Sequence, residues 1–101
     1  MYTKIQIVFD AADPESLAAF WKMALGYDYE SPPPDYASWE DFARERGLPE
    51  EEWGDQASLV DPQGEGPRIY FQRVPEGKTA KNRVHLDVRV AGREVHGFCV
   101  A

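Results

Sequence analysis

Between residues 4 and 10 the chain alternates, with Ile5, Ile7 and Phe9 on one side and Lys4, Gln6, Val8 and Asp10 on the other. Successive side chains of a strand point to opposite faces, so a period of two predicts a half-buried strand. The pattern then turns helical. Asp13 is placed to cap, Pro14 suits the first position, Glu15 favours the positive end of a helix, and Gly26 ends it. Leu17, Phe20, Trp21, Ala24 and Leu25 recur at helical spacing and predict an apolar stripe packed into the core. "YDYES" follows as a short strand, stopped by "PPP", which cannot continue a ladder. Residues 38–47 predict a second helix, with Ser38 as cap, Asp41 three residues on and Gly47 at the close, and "LPEEEW" adds a further turn. "ASLVDP" and "RIYFQRV" are two more strands joined by the turn "QGEGP", and "PEGKTAK" is a linker. "KNRVHLDVRV" at 81–90 reads as a strand with Val84, Leu86, Val88 and Val90 opposite His85, Asp87 and Arg89, and "VHGFCV" supplies a last one.

One helix laid on one face of an antiparallel-rich sheet predicts an α+β fold whose other face is free. Alternation places Gln6, Val8 and Asp10 of the first strand on that face, with His85, Asp87 and Arg89 of the fifth. Tyr70 and Gln72 join them, because Ile69 and Phe71 suit the core side. Together these residues predict a cup with a polar lining.

Composition narrows the function classes. A chain of 101 residues makes one domain with a modest core, and 43% hydrophobic with 29% charged residues is a globular balance. Eighteen acids against eleven bases give a net charge of −7, which repels phosphate backbones and argues against a nucleic-acid partner. The apolar runs are too short to span a bilayer, and "MYTKIQIVFD" has no secretory pattern. Cys99 is the single cysteine, so an internal disulfide is excluded and a cytoplasmic location is expected.

Three stretches carry a resemblance: "DAADPESLAAFWKMALGY" at 10–27, "EEEWGDQASLVDPQGEGPRIYFQRVPEGKTAKNRVHLDV" at 50–88, and the closing "FCV" at 98–100. Together they resemble the vicinal oxygen chelate superfamily, which includes glyoxalase I, bleomycin-resistance proteins and extradiol dioxygenases, and more narrowly its bacterial glyoxalase-like domain branch. The resemblance implies βαβββ modules, normally two, whose sheets form a U-shaped cup around a ligand or metal. It divides the single domain into a first module over 1–76, with the inserted helix 38–47, and a remnant of a second over 77–101. Only "RVAGREV" separates "HLDV" from "FCV", too little for a helix and two strands. Either the second module is truncated, or a stretch is missing between Gly92 and Arg93; the exposed strand edges of a half-sheet favour the latter. A chain complete as it stands expects cover from a partner subunit, hence a homodimer.

The resemblance also supplies ligand positions for a divalent ion, carried over here to Gln6, Tyr70, His85 and Cys99. Ni, Zn, Mn or Fe would want imidazoles, carboxylates or thiolates, and this set offers one imidazole, one thiol and two neutral oxygen groups. No bound cofactor is therefore expected. His85 is the candidate catalytic residue, as a general base near neutral pH. Gln6, Tyr70, Gln72, His85, Asp87 and Arg89 are the candidate ligand-binding residues, with Trp39 and Trp53 as further aromatic walls; Gln6, His85 and Cys99 are the metal candidates. The expected function is a glyoxalase-like small-molecule-binding protein of the bleomycin-resistance type. The alternative is a metal-dependent lyase, isomerase or dioxygenase of the same superfamily.

Overall fold

A computed structural model describes residues 4–90 and 93–95, with side chains up to residue 89. Strand β1 (Gln6–Ala11) leads into helix α1 (Pro14–Leu25), then β2 (Asp28–Tyr29), helix α2 (Trp39–Glu45), a 3₁₀ turn (Glu50–Glu52), β3 (Gln56–Val60) and β4 (Arg68–Arg73). The four strands form one mixed sheet in the order β1-β4-β3-β2, with β1 parallel to β4 and the other pairs antiparallel. With α2 as an insertion, this is a βαβββ module of the expected α+β class. Strands β5 (Val88–Val90) and β6 (Arg93–Val95) pair with each other in a separate two-stranded sheet.

Helix α1 forms for the local reasons its sequence supplies. The Asp13 carboxylate accepts from the Ser16 backbone N–H at 3.3 Å and from the Ser16 hydroxyl at 2.7 Å, and these bonds hold its pKa below the ordinary value. Gly26 ends the helix at φ 71°, where an L side chain would be strained, and its N–H and that of Tyr27 both return to the Lys22 carbonyl. Ser38 caps α2 by accepting from the Asp41 N–H at 3.1 Å.

The core lies between α1 and one face of the sheet. Phe9, Leu59, Ile69 and Phe71 project from the strands onto Ala18 and Trp21, and none is more than 7% exposed. The parallel register Ile7↔Ile69 and Phe9↔Phe71 brings like faces together, so one alternation serves both strands. Phe9 meets Trp21 at 5.8 Å and Phe71 at 5.4 Å between ring centroids, tilted contacts of the kind aromatic quadrupoles favour.

Two expectations need correction. Phe20 is 38% exposed rather than part of the core; it sits at the margin of the stripe and meets Trp21 edge-on at 5.2 Å. The strand expected over 81–90 is limited to Val88–Val90, and it does not join the four-stranded sheet. Alternation nonetheless persists from 85 to 89: Leu86 and Val88 pack against the core while His85, Asp87 and Arg89 are exposed. An extended backbone keeps a period of two whether or not it is paired, and pairing needs a neighbour that supplies matching N–H and C=O groups. Val84 lies outside the covered part and is 74% exposed. The terminal "VHGFCV" strand falls mostly on residues 96–101, and the junction near Gly92 is at 91–92; both lie outside the described residues.

Candidate functional site

The face of the sheet opposite α1 carries the side chains that the core register excludes. Gln6 pairs with Arg68, Val8 with Tyr70 and Asp10 with Gln72 across β1 and β4. Tyr70 and Gln72 in turn face Ser58 and Gln56 on β3. Two polar groups therefore flank an apolar waist of Val8, which is 47% exposed, and the half-buried Tyr70.

At one end of this face Arg68, on β4, is held by Glu30, just after β2, and by Gln6 of β1. Its Nε donates to both carboxylate oxygens of Glu30 at 3.1 Å, Nη2 donates to Glu30 Oε1 at 2.7 Å, and Nη1 donates to Gln6 Oε1 at 3.0 Å. Ser58 adds a hydroxyl bond to Glu30 Oε1 at 2.8 Å, and the Glu30 N–H donates to the Ser58 carbonyl. The guanidinium also lies over the Tyr70 ring, 5.4 Å from its centroid. Hydrogen bonding to Arg68 holds the Glu30 carboxyl below its ordinary pKa despite partial burial, and Glu30 raises that of Arg68 in return. At the other end the Gln72 amide donates to Asp10 Oδ1 at 2.8 Å.

A cleft of about 480 Å³ adjoins Arg68, between the start of β1 and the turn from β3 to β4. Asp61 builds that turn: its carboxylate accepts from the backbone N–H groups of Gln63, Glu65 and Gly66 at 2.9, 3.1 and 2.7 Å. These bonds, that from Gln63 first, lower its pKa. The Tyr27 hydroxyl donates to the Pro67 carbonyl at 3.0 Å, and a Cβ on Gly66 would collide with that same hydroxyl.

Of the sequence-derived candidates, Gln6, Tyr70 and Gln72 share this face. His85, Asp87 and Arg89 lie outside the four-stranded sheet: His85 and Asp87 precede β5, and Arg89 is within it. Trp39 donates its indole N–H to the Glu30 carbonyl at 2.7 Å, which ties α2 to the edge of the site, whereas Trp53 donates to the Leu48 carbonyl at 3.0 Å. Cys99 lies outside the described residues. The sequence-derived candidates do not include Arg68, Glu30 or Ser58. Arg68 is two residues before Tyr70 and shares its face by the same period; nothing local in the sequence points to Glu30, which is 38 positions away from it.

The described donors do not fit a divalent ion. At the first ligand position the Gln6 amide oxygen faces a guanidinium, whose fixed positive charge repels a metal at the point where it would need to bind. Among the described residues no three of His, Cys, Asp and Glu gather as a metal-holding group. None of the helices among the described residues is long and apolar enough to cross a membrane.

Residues 6–97 match the family model of the glyoxalase-like domain. Searches of curated proteins and of solved structures gave no significant match.

Proposed function

The chain belongs to the glyoxalase-like domain family of the vicinal oxygen chelate superfamily, and from that premise we propose that it is a small-molecule-binding protein of the bleomycin-resistance type, with its ligand seated on the open face of the four-stranded sheet. One observation carries this reading. The residues of β1 and β4 that do not serve the core form an organised surface, with Arg68 held by Glu30 and Gln6 at one end, Gln72 by Asp10 at the other, and Val8 and Tyr70 between them. Small-molecule sites combine apolar area with a few fixed polar groups, and a polar group already held in place loses little freedom when a ligand arrives.

A fragment screen followed by backbone amide chemical shifts tests it. Binding compounds should shift Gln6, Val8, Ser58, Tyr70 and Gln72 together. A ligand at a hundred times its Kd should add about 2.7 kcal/mol of stability. Tyr70→Ala should weaken those compounds while leaving the core intact, because Tyr70 faces away from Phe9 and Phe71. Shifts confined to the outer surface of α1, or to α2, would refute the proposal.

A further inference from the structure

Resting on that reading, we infer that the ligand carries a single carboxylate, which Arg68 receives in the cleft between the start of β1 and the β3–β4 turn. A guanidinium has five N–H donors in a fixed plane. In the bonds described above, Nε is shared between the two Glu30 oxygens, while Nη1 and Nη2 each spend one hydrogen, on Gln6 and Glu30. By this count one N–H remains on each terminal nitrogen, available for charge-assisted hydrogen bonds to a carboxylate. Glu30, with Ser58 behind it, fixes the guanidinium from one side, and Arg68 itself lines the cleft. The donor is therefore oriented before anything binds.

The rest of the cleft agrees with an anionic head on an apolar body. Lys4 and Gln6 add further donors to the lining, while Ile5, Val60 and Pro67 supply apolar contact. Ile5 is 68% exposed, although it continues the core-facing alternation of the strand, so its surface is available to a ligand. The local acids set the charge of the guest. Glu30 balances Arg68, and Asp61 spends its carboxylate on three backbone N–H groups of the turn. Glu65 also lines the cleft, and the whole chain carries −7. These surroundings oppose a phosphate dianion. They suit a monoanion recognised through hydrogen bonds to a guanidinium already fixed in place rather than through a strong field.

Phenylacetate and its uncharged counterpart phenylacetamide provide the test, each titrated into the full chain and followed by amide chemical shifts. Phenylacetate should shift Gln6, Val60, Gly66 and Arg68 and bind about tenfold or more tighter than the amide, the discrimination expected of charge-assisted hydrogen bonds. Arg68→Gln should abolish that preference. Lys4→Gln, an exposed substitution outside every strand, should weaken phenylacetate about two- to threefold and reduce its salt dependence, which keeps the inference testable if Arg68→Gln does not fold. Equal binding of both probes on the open face would overturn the carboxylate while leaving the small-molecule site standing. If neither probe bound but the wider fragment screen still marked the face, the carboxylate would again fall alone. A screen that marked no residue of the face would remove both.

Discussion

The Arg68–Glu30 pair should be worth more than a surface ion pair and less than a buried one, and a double-mutant cycle measures where it falls. The single variants are Glu30→Gln and Arg68→Gln, which keep side-chain size while removing one charge each, together with the double variant. The structure gives a forked contact with distances of 2.7 and 3.1 Å, supported by Ser58 and Gln6. Exposed pairs contribute about 0.2–1 kcal/mol, and hydrogen bonds to charged groups about 1.5–3 kcal/mol where solvent is excluded. The side chains of Arg68 and Glu30 are 36% and 29% exposed, so screening reduces the upper figure and leaves a coupling of about 1–1.5 kcal/mol. Urea denaturation of all four proteins at neutral pH reads the coupling directly. Its pH dependence supplies the sign. The Glu30 pKa is depressed in the folded state, so its contribution is fully present above the ordinary value of 4.5 and disappears as pH falls through the lower folded value. Repeating the cycle at pH values stepped downward from 4.5 should therefore shrink the coupling progressively. A coupling below about 0.3 kcal/mol at neutral pH, or one unchanged in acid, would show that the fork is not an energetic link between the strands.

Other substitutions probe the parts that hold the site. Leu59→Ala, at a position with 0% exposure beneath α1, should cost about 2–5 kcal/mol in chemical denaturation through the cavity it leaves. Gly66→Ala should destabilise the β3–β4 turn because its Cβ would collide with the Tyr27 hydroxyl, and Tyr27→Phe in the same chain should recover part of the melting temperature by removing that oxygen. Gly64→Ala should cost about 1 kcal/mol, since φ is 73° there and no steric neighbour is involved. Asp61→Asn should loosen the same turn, seen as faster amide exchange at Glu65 and Gly66. The wild-type turn should lose that protection in acid, because the depressed Asp61 pKa makes its contribution vanish only as pH falls below the ordinary carboxylate range.

The parts of this molecule that depend on nearest neighbours could be read from the chain. Asp13, Pro14 and Gly26 mark the limits of α1, and each acts in the structure as its chemistry predicts. The alternation in β1 and β4 assigns Ile7, Phe9, Ile69 and Phe71 to one face and Gln6, Tyr70 and Gln72 to the other. Phe20 shows where a periodic stripe becomes ambiguous, since the stripe is wider than the surface that covers it and its marginal member is left part-exposed. Residues 81–87 show a second limit. Their pattern places Leu86 against the core but fails at Val84, which is exposed, and strand formation also requires a partner that no local signal supplies. Glu30 is the same problem at the level of a single contact. It follows a two-residue strand and precedes three prolines, a setting that reads as a loop acid until the sheet brings it beside Arg68.

The order β1-β4-β3-β2 explains why that meeting matters. Gln6 comes from the outer strand β1, Arg68 from the strand beside it, Ser58 from the next, and Glu30 from the residue that follows β2 at the far edge. One network thus crosses the whole sheet on the side that α1 leaves open, while apolar packing on the other side carries the core. Separating the two faces lets the chemistry of the open one change with little effect on packing, which is how one scaffold can host unlike ligands. In this chain the first metal position of the resemblance, Gln6, serves a guanidinium instead. A guanidinium stays charged throughout the physiological pH range, is more weakly hydrated than an ammonium, and offers a planar fork. Those properties favour recognition of a planar, singly charged oxygen group by an anchor that Glu30 holds ready.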